Sequence, residues 1–228
     1  STDRSGCMPM QIINNKLYYI GWTLRKDVPY FNYCSVAEMV GRTITKLGPI
    51  LAPDIIDNSF SGTLCVFKNA DLNCYIGYYL SSDKWIADEL GALQPSYDIK
   101  MAKSYDGLHW EKLGLVAIAR EDLEEGISAA TVIVHNGLFH MWFSSREAKN
   151  FRLGGGVYKI KHAYSYDGLK WHRTNFFSLE HSADAGENMC AYPSVVIDGG
   201  NLHMLYNGFS FGQGGISHAH MCLEDLLI

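Results

Sequence analysis

Apolar and polar positions alternate along this chain with a period of two, and the alternation is broken at short intervals by Asn, Asp and Gly. Gln11-Ile-Ile-Asn-Asn-Lys-Leu-Tyr-Tyr-Ile20 reads as strand, tight turn, strand. Side chains of a strand alternate between its faces, and Asn, Asp and Gly enter the left-handed turn at least cost. The pattern returns in Val132-Ile-Val-His-Asn-Gly-Leu-Phe-His-Met-Trp-Phe143 and in Val195-Val-Ile-Asp-Gly-Gly-Asn-Leu-His-Met-Leu-Tyr206. Helix has little place: Ala37 to Val40 and Ala87 to Leu90 are too short, and Gly41 and Gly91 stop them at once. The 14 Tyr, 10 Phe and 5 Trp suit strands, and the 22 glycines supply turns.

A second element repeats. Ala102-Lys-Ser-Tyr-Asp-Gly-Leu-His-Trp110 is matched 61 positions later by Ala163-Tyr-Ser-Tyr-Asp-Gly-Leu-Lys-Trp171, and Met141 is matched by Met204 after 63. A strand-only unit recurring at this period is the mark of a β-propeller, whose blades bury their faces against their neighbours. The expected fold is all-β, a single propeller domain over 1–228 built of four-stranded blades. Blade-like units are expected at about 7–50, 60–114, 127–174 and 188–228, with the acidic run Glu121-Asp-Leu-Glu-Glu125 in a connection. The Ser-Tyr-Asp-Gly-Leu-x-Trp element reads as structural, Asp-Gly turning between two strands and Trp packing between blades.

Composition narrows the function. With 47% apolar and 19% charged residues, 228 residues can build a sizeable core. A net charge of −5 without a Lys/Arg block argues against nucleic acid. No apolar run approaches the roughly 18 residues of a membrane helix. Ser-Thr-Asp-Arg-Ser-Gly shows no secretory signal, although one already removed leaves no trace. The six cysteines form no CxxC pair and have no metal-ligand spacing with the nine histidines, so reduced thiols in the cytoplasm, no metal and no cofactor are expected.

The Ser-x-Asp-Gly-x-x-Trp turns, the Tyr-Pro-Ser-Val-Val and Asn-Leu-His-Met-Leu-Tyr-Asn-Gly hairpin, and Phe-His-Met-Trp-Phe-Ser-Ser-Arg resemble the five-bladed propellers of glycoside hydrolase family 43 and its arabinanase, levansucrase and invertase relatives. Most similar is a branch of uncharacterised glycosidase-like proteins of polysaccharide gene clusters. The likeness runs from Asp3 to Ala219. It implies five blades, whereas a period of about 61 leaves room for fewer than four complete units. The expectation is about four blades, with a first one missing ahead of Asp3, or a ring closed with four, or a homo-oligomer that fills the gap.

Related hydrolases use a pair of carboxylates projecting from inner strands. Here those strands are expected at Cys7 to Ile13, Ser61 to Val66, Ile127 to Val134 and Met189 to Ile197; where relatives place Asp before Pro, this chain has Met8-Pro9 and Tyr192-Pro193. By resemblance the candidate acids are therefore at strand edges: Glu125, ahead of Ile127-Ser-Ala-Ala130; Glu187, in Ala-Gly-Glu-Asn-Met-Cys-Ala-Tyr-Pro; and Asp98, in Pro95-Ser-Tyr-Asp-Ile-Lys100. Asp3 and Arg4 precede the first inner strand. Arg146 can fork onto a carboxylate or phosphate. Trp22, Tyr97, Tyr158 and Tyr192, together with Tyr30 and Phe211, offer rings for stacking against sugars, and Asn207 opens a Gly-rich rim loop. His140 and His203 read as structural. Two readings stay open, both with an oligosaccharide or glycan partner: a glycosidase or transglycosidase using Glu125 with Glu187 or Asp98, and a non-catalytic glycan-binding or assembly propeller.

Overall fold

A computed structural model of the chain describes residues 3–57, 59–88, 90–147, 157–182, 184 and 188–227. Strands β1 (Gly6–Ile13), β2 (Lys16–Leu24), β3 (Tyr30–Val40) and β4 (Thr43–Leu51) form an antiparallel sheet in chain order. Strands β5 (Phe60–Asn69), β6 (Cys74–Ala87), β7 (Leu93–Ser104) and β8 (Glu111–Ile118) repeat that arrangement, as do β9 (Glu124–His135), β10 (Leu138–Glu147), β11 (Tyr158–Ser165) and β12 (His172–Leu179). The last sheet, β13 (Ala191–Asp198), β14 (Asn201–Asn207) and β15 (Ser217–Cys222), has three strands. The meander of four-stranded antiparallel sheets is the blade architecture that the repeats predict.

The three predicted hairpins share one turn. Asn14 and Asn15, Asn136 and Gly137, and Gly199 and Gly200 all have positive φ, between 48° and 80°, at both central positions. That is the type I′ geometry whose twist matches the flanking strands. The repeated Asp-Gly element is also structural. Asp106 Oδ1 accepts the backbone N–H groups of Leu108 and His109 at 2.8 Å, and Asp167 Oδ1 accepts those of Leu169 and Lys170 at 2.8 Å. The Trp110 indole packs so closely over Gly77 that a Cβ there would lie 2.6 Å from the ring.

The chain forms two compact units, Ser1–Glu121 with Glu125–Ser128, and Asp122–Glu124 with Ala129–Ile228. In unit 1 the Gln11 side-chain amide pairs with Val66 like an extra strand, donating to its C=O at 3.0 Å and accepting its N–H at 2.7 Å. Tyr18, Val36 and Leu51 pack there against Leu64, Val66 and Tyr79. In unit 2 Trp142 and Ile160 pack against Leu202, Met204 and Tyr206.

The first strand of every sheet is kinked in its first half. Register slips between Pro9 and Gln11 in β1, Ser61 and Leu64 in β5, and Ala191 and Ser194 in β13, while Ala129 in β9 takes φ 52°. Such bulges re-aim side chains and recur beside functional sites.

Candidate functional site

In unit 1 the site is built where β7 runs parallel to the start of β9, with Tyr97 paired to Gly126. Gly is required, because a Cβ at 126 would enter the Tyr97 ring. Parallel partners face the same side, so Asp98, one residue after Tyr97, and Glu125, one residue before Gly126, both face the other. Strand spacing and rise put their Cα atoms about 8 Å apart. Asp98 is held by Arg120, whose Nε and Nη2 donate to the two carboxylate oxygens at 2.9 and 3.1 Å and whose backbone N–H donates at 2.8 Å. Glu125 is half-buried. Tyr97 itself is buried against Phe60 and Leu80, with Tyr30 and Trp85 beside them.

The remaining unit 1 candidates lie apart from that pair. Asp3 is ion-paired with Lys46, whose ammonium sits 5.8 Å from the centre of the Tyr19 ring. Burial and, next, the Asp3 charge push the Tyr19 hydroxyl up. Arg4 is exposed, and Trp22 lies over Gly6 so tightly that a Cβ at 6 would enter the ring.

In unit 2 the predicted aromatic residues do come together. Tyr158 and Tyr192 have ring centroids 6.2 Å apart, and Phe211 stands 5.7 Å from the first and 6.2 Å from the second. Arg146 is the register partner of Tyr158 and is buried. Tyr192 takes φ 55° and donates its N–H to Ser144 Oγ at 2.8 Å, while Ser210 and Phe211 take φ 39° and 56°. Non-Gly residues in this region carry strain that the surroundings must hold, a pattern concentrated at ligand sites. Asn188 holds the loop by accepting the Ser210 N–H at 3.0 Å, and Asn207 ends β14, paired to Ala191. Glu187 lies outside the described residues.

Sequence reasoning missed two acids. Asp57 is fully buried in unit 1, bonded by Tyr79 and Ser81 and ion-paired to Lys112 at 2.5 Å, with Lys100 at 3.5 Å. Burial and then Asp57 push the Tyr79 hydroxyl far up. Glu124, in unit 2, accepts from Ser145 at 2.6 Å, Lys161 at 2.8 Å and Arg173 at 2.7 and 2.9 Å. Neither acid leaves room for a substrate. The partners lie 21 to 55 residues away, so no local motif could reveal them.

No family profile matches the chain. It is 31% identical over 209 residues to uncharacterised proteins of two Mycobacterium tuberculosis strains, CDC 1551 / Oshkosh and ATCC 25618 / H37Rv. That match covers 89% of this chain, which spans 66% of the relatives' length. Among solved structures it is similar to a glycoside hydrolase (TM-score 0.69, 14% identity, 96% of this chain and 72% of that one). It is also similar to a thermostable family-43 glycoside hydrolase (0.66, 18%, 89% and 65%) and to a β-1,2-mannobiose phosphorylase of Listeria innocua (0.68, 16%, 99% and 60%). The fold is therefore that of the glycoside hydrolase family 43-like β-propellers.

Proposed function

We propose that this chain is a carbohydrate-active propeller that hydrolyses or transfers glycosidic bonds, with Glu125 as general acid and Asp98 as its partner carboxylate. One observation carries the reading: the Tyr97 and Gly126 pairing sets the two acids on one face. Ideal strand spacing and rise give Cα atoms about 8 Å apart at such positions, and inverting hydrolysis needs the carboxyl groups themselves roughly 6.5–9.5 Å apart. A carboxylate has about four lone-pair directions. Asp98 therefore still has acceptor capacity for a water or sugar hydroxyl while Arg120 holds its orientation. The half-buried Tyr192 and exposed Phe211 rings, each packed on the buried Tyr158, suit the apolar face of a sugar.

The test is turnover of a panel of nitrophenyl glycosides. Glu125→Gln should lower kcat by about 10²–10⁴ at an almost unchanged melting temperature, the span general acid catalysis supplies. Full activity in that variant sinks the assignment. A second reading, glycan binding without turnover, is favoured by the bulges: Met10, Gly62, Thr63, Ala129 and Tyr192 stand at the kinked positions of the first strands, and none is an acid. Retention on a glycan array with no hydrolysis of any retained glycan identifies that case.

A further inference from the structure

In unit 2 a cavity of about 270 Å³ lies where the turn between β9 and β10, the turn between β11 and β12 and the segment after β15 meet. His135, Asn136 and Leu138 line it from the first turn, His140 from β10, Tyr166 from the second turn, and Leu226 and Leu227 from the segment after β15. His140 is buried, and its Nδ1 lies 3.2 Å from Nε2 of the buried His162. His162 Nδ1 has no hydrogen-bond partner among the described residues. A neutral imidazole carries one N–H, so only one direction of the shared bond avoids a bare N–H in the interior: His162 Nε2 donates to His140 Nδ1. That fixes the His140 proton on Nε2, the nitrogen left for the cavity that the ring lines. Asn136 Nδ2 donates to His135 Nε2 at 3.0 Å, which fixes the His135 proton on Nδ1. Each cavity imidazole thus spends its acceptor nitrogen inside the protein and keeps its N–H for the cavity.

We propose that this cavity binds a small monocarboxylate, its oxygens on the His140 and His135 N–H groups and its apolar body against Leu138 and Leu227. An ionised carboxylate only accepts hydrogen bonds, and every polar side chain of the lining can donate one, Tyr166 through its hydroxyl. Among the described lining residues there is no Asp or Glu to repel an anion, and no Lys or Arg to select a dianion such as phosphate. The acids next to lining residues along the chain, Asp167 and Asp225, are exposed, and Asp167 is committed to the N–H groups of its own turn. Burial, and next the charge of His135, hold His140 at about 4, so at neutral pH it is an uncharged donor in one tautomer. The volume lies near the lower edge of the roughly 300–1,000 Å³ usual for ligand pockets, which suits a small molecule. A histidine pair that served packing alone would leave neither an orphaned nitrogen nor a ring lining a cavity. The site shares no residue with Asp98 and Glu125, so it does not rest on the proposed activity.

The experiment is titration of the full chain with sodium benzoate at neutral pH and constant ionic strength, followed by the histidine ring signals in NMR spectra. The His135 and His140 signals should shift together along one saturating curve while that of the exposed His109 stays in place. Benzyl alcohol keeps the aromatic body and lacks the carboxylate, so it should bind about tenfold more weakly or worse. His135→Phe keeps a ring at a half-buried position and removes one donor; it should weaken benzoate about tenfold, the loss of one hydrogen bond to a charged group. Leu227→Asp sets a like charge at an exposed rim position and should weaken benzoate as well. Neither variant alters the buried His140 and His162 pair, so both should melt near the unsubstituted chain. Absence of a saturable shift, equal binding of benzyl alcohol, or benzoate affinity unchanged in both variants overturns the site. Competition by inorganic phosphate as effective as that by acetate overturns the choice of a monocarboxylate.

Discussion

Both units bury charged groups, Asp57 in unit 1 and Glu124 and Arg146 in unit 2, but the buried pair of histidines lies in unit 2. Unit 1 buries a charge: Asp57 has no exposed surface and is matched by the Lys112 ammonium, with Tyr79 and Ser81 completing its hydrogen bonds. Unit 2 also buries neutral imidazoles: His140 and His162 are 1% and 0% exposed, with Nδ1 and Nε2 3.2 Å apart. A buried charge depends on its counter-charge at every pH, whereas a buried imidazole depends on staying unprotonated. Unit 2 is therefore vulnerable to protonation in a way that unit 1 is not. The largest effect expected is from Asp57→Ala, which leaves Lys112, 7% exposed, without its closest counter-charge. Breaking such a pair costs about 3–5 kcal/mol. Denaturant unfolding read by hydrogen exchange should show this loss in β5 to β8, and a loss below about 1 kcal/mol would contradict a paired charge.

The second effect separates the units by pH. Burial holds His140 at about 4 and His162 at about 3, with the neighbouring His135 and His140 adding to the respective shifts. The ordinary imidazole value is about 6.5, so the unfolded chain takes up protons first as pH falls. Stability from this pair is fully present above about 6.5 and is lost as pH drops through 4 toward 3. In unit 1 the Asp106 carboxylate is held below the usual range by the His109 side chain and then by the turn N–H groups. Its contribution is present above the ordinary carboxylate value of about 4 and is lost only below it. Hydrogen exchange followed from pH 7 to 4 should thus show protection falling in β10 and β11 while the Asp106 turn keeps its own. Equal loss in both units would remove the contrast.

What was legible in the chain followed distance along it. Asn14-Asn15, Asn136-Gly137 and the Asp-Gly turns close on residues two or three positions away, and their chemistry is written beside them. The clustering of Tyr158, Tyr192 and Phe211 was legible only as separate aromatic positions, because it depends on β11 and β13 packing together. Asp98 reads as a rim acid, yet its guanidinium partner sits 22 residues on. The stacking of His203, His218 and His220 is likewise not legible along the chain, because a strand register, not a sequence interval, brings the rings together.

The smallest effect on stability is expected at the exposed end of the aromatic group, and it tests whether the two units use their rings differently. Tyr97 is 5% exposed and Phe211 is 52% exposed. Removing a ring from a packed interior costs about 3–5 kcal/mol, so Tyr97→Ala should lower the melting temperature markedly. Phe211→Ala removes a ring already half in solvent, from a residue whose φ of 56° is unfavourable for any side chain, and the melting temperature should barely move. Stacking contributes about 0.5–1.5 kcal/mol beyond area, so glycan affinity should fall up to about tenfold. Phe211→Gly relieves the backbone strain while still removing the ring; it should therefore match or exceed the stability of Phe211→Ala and share its weaker binding. If both variants bind glycan as the unsubstituted chain does, the exposed ring is a loop anchor and the stacking role passes to the half-buried Tyr192.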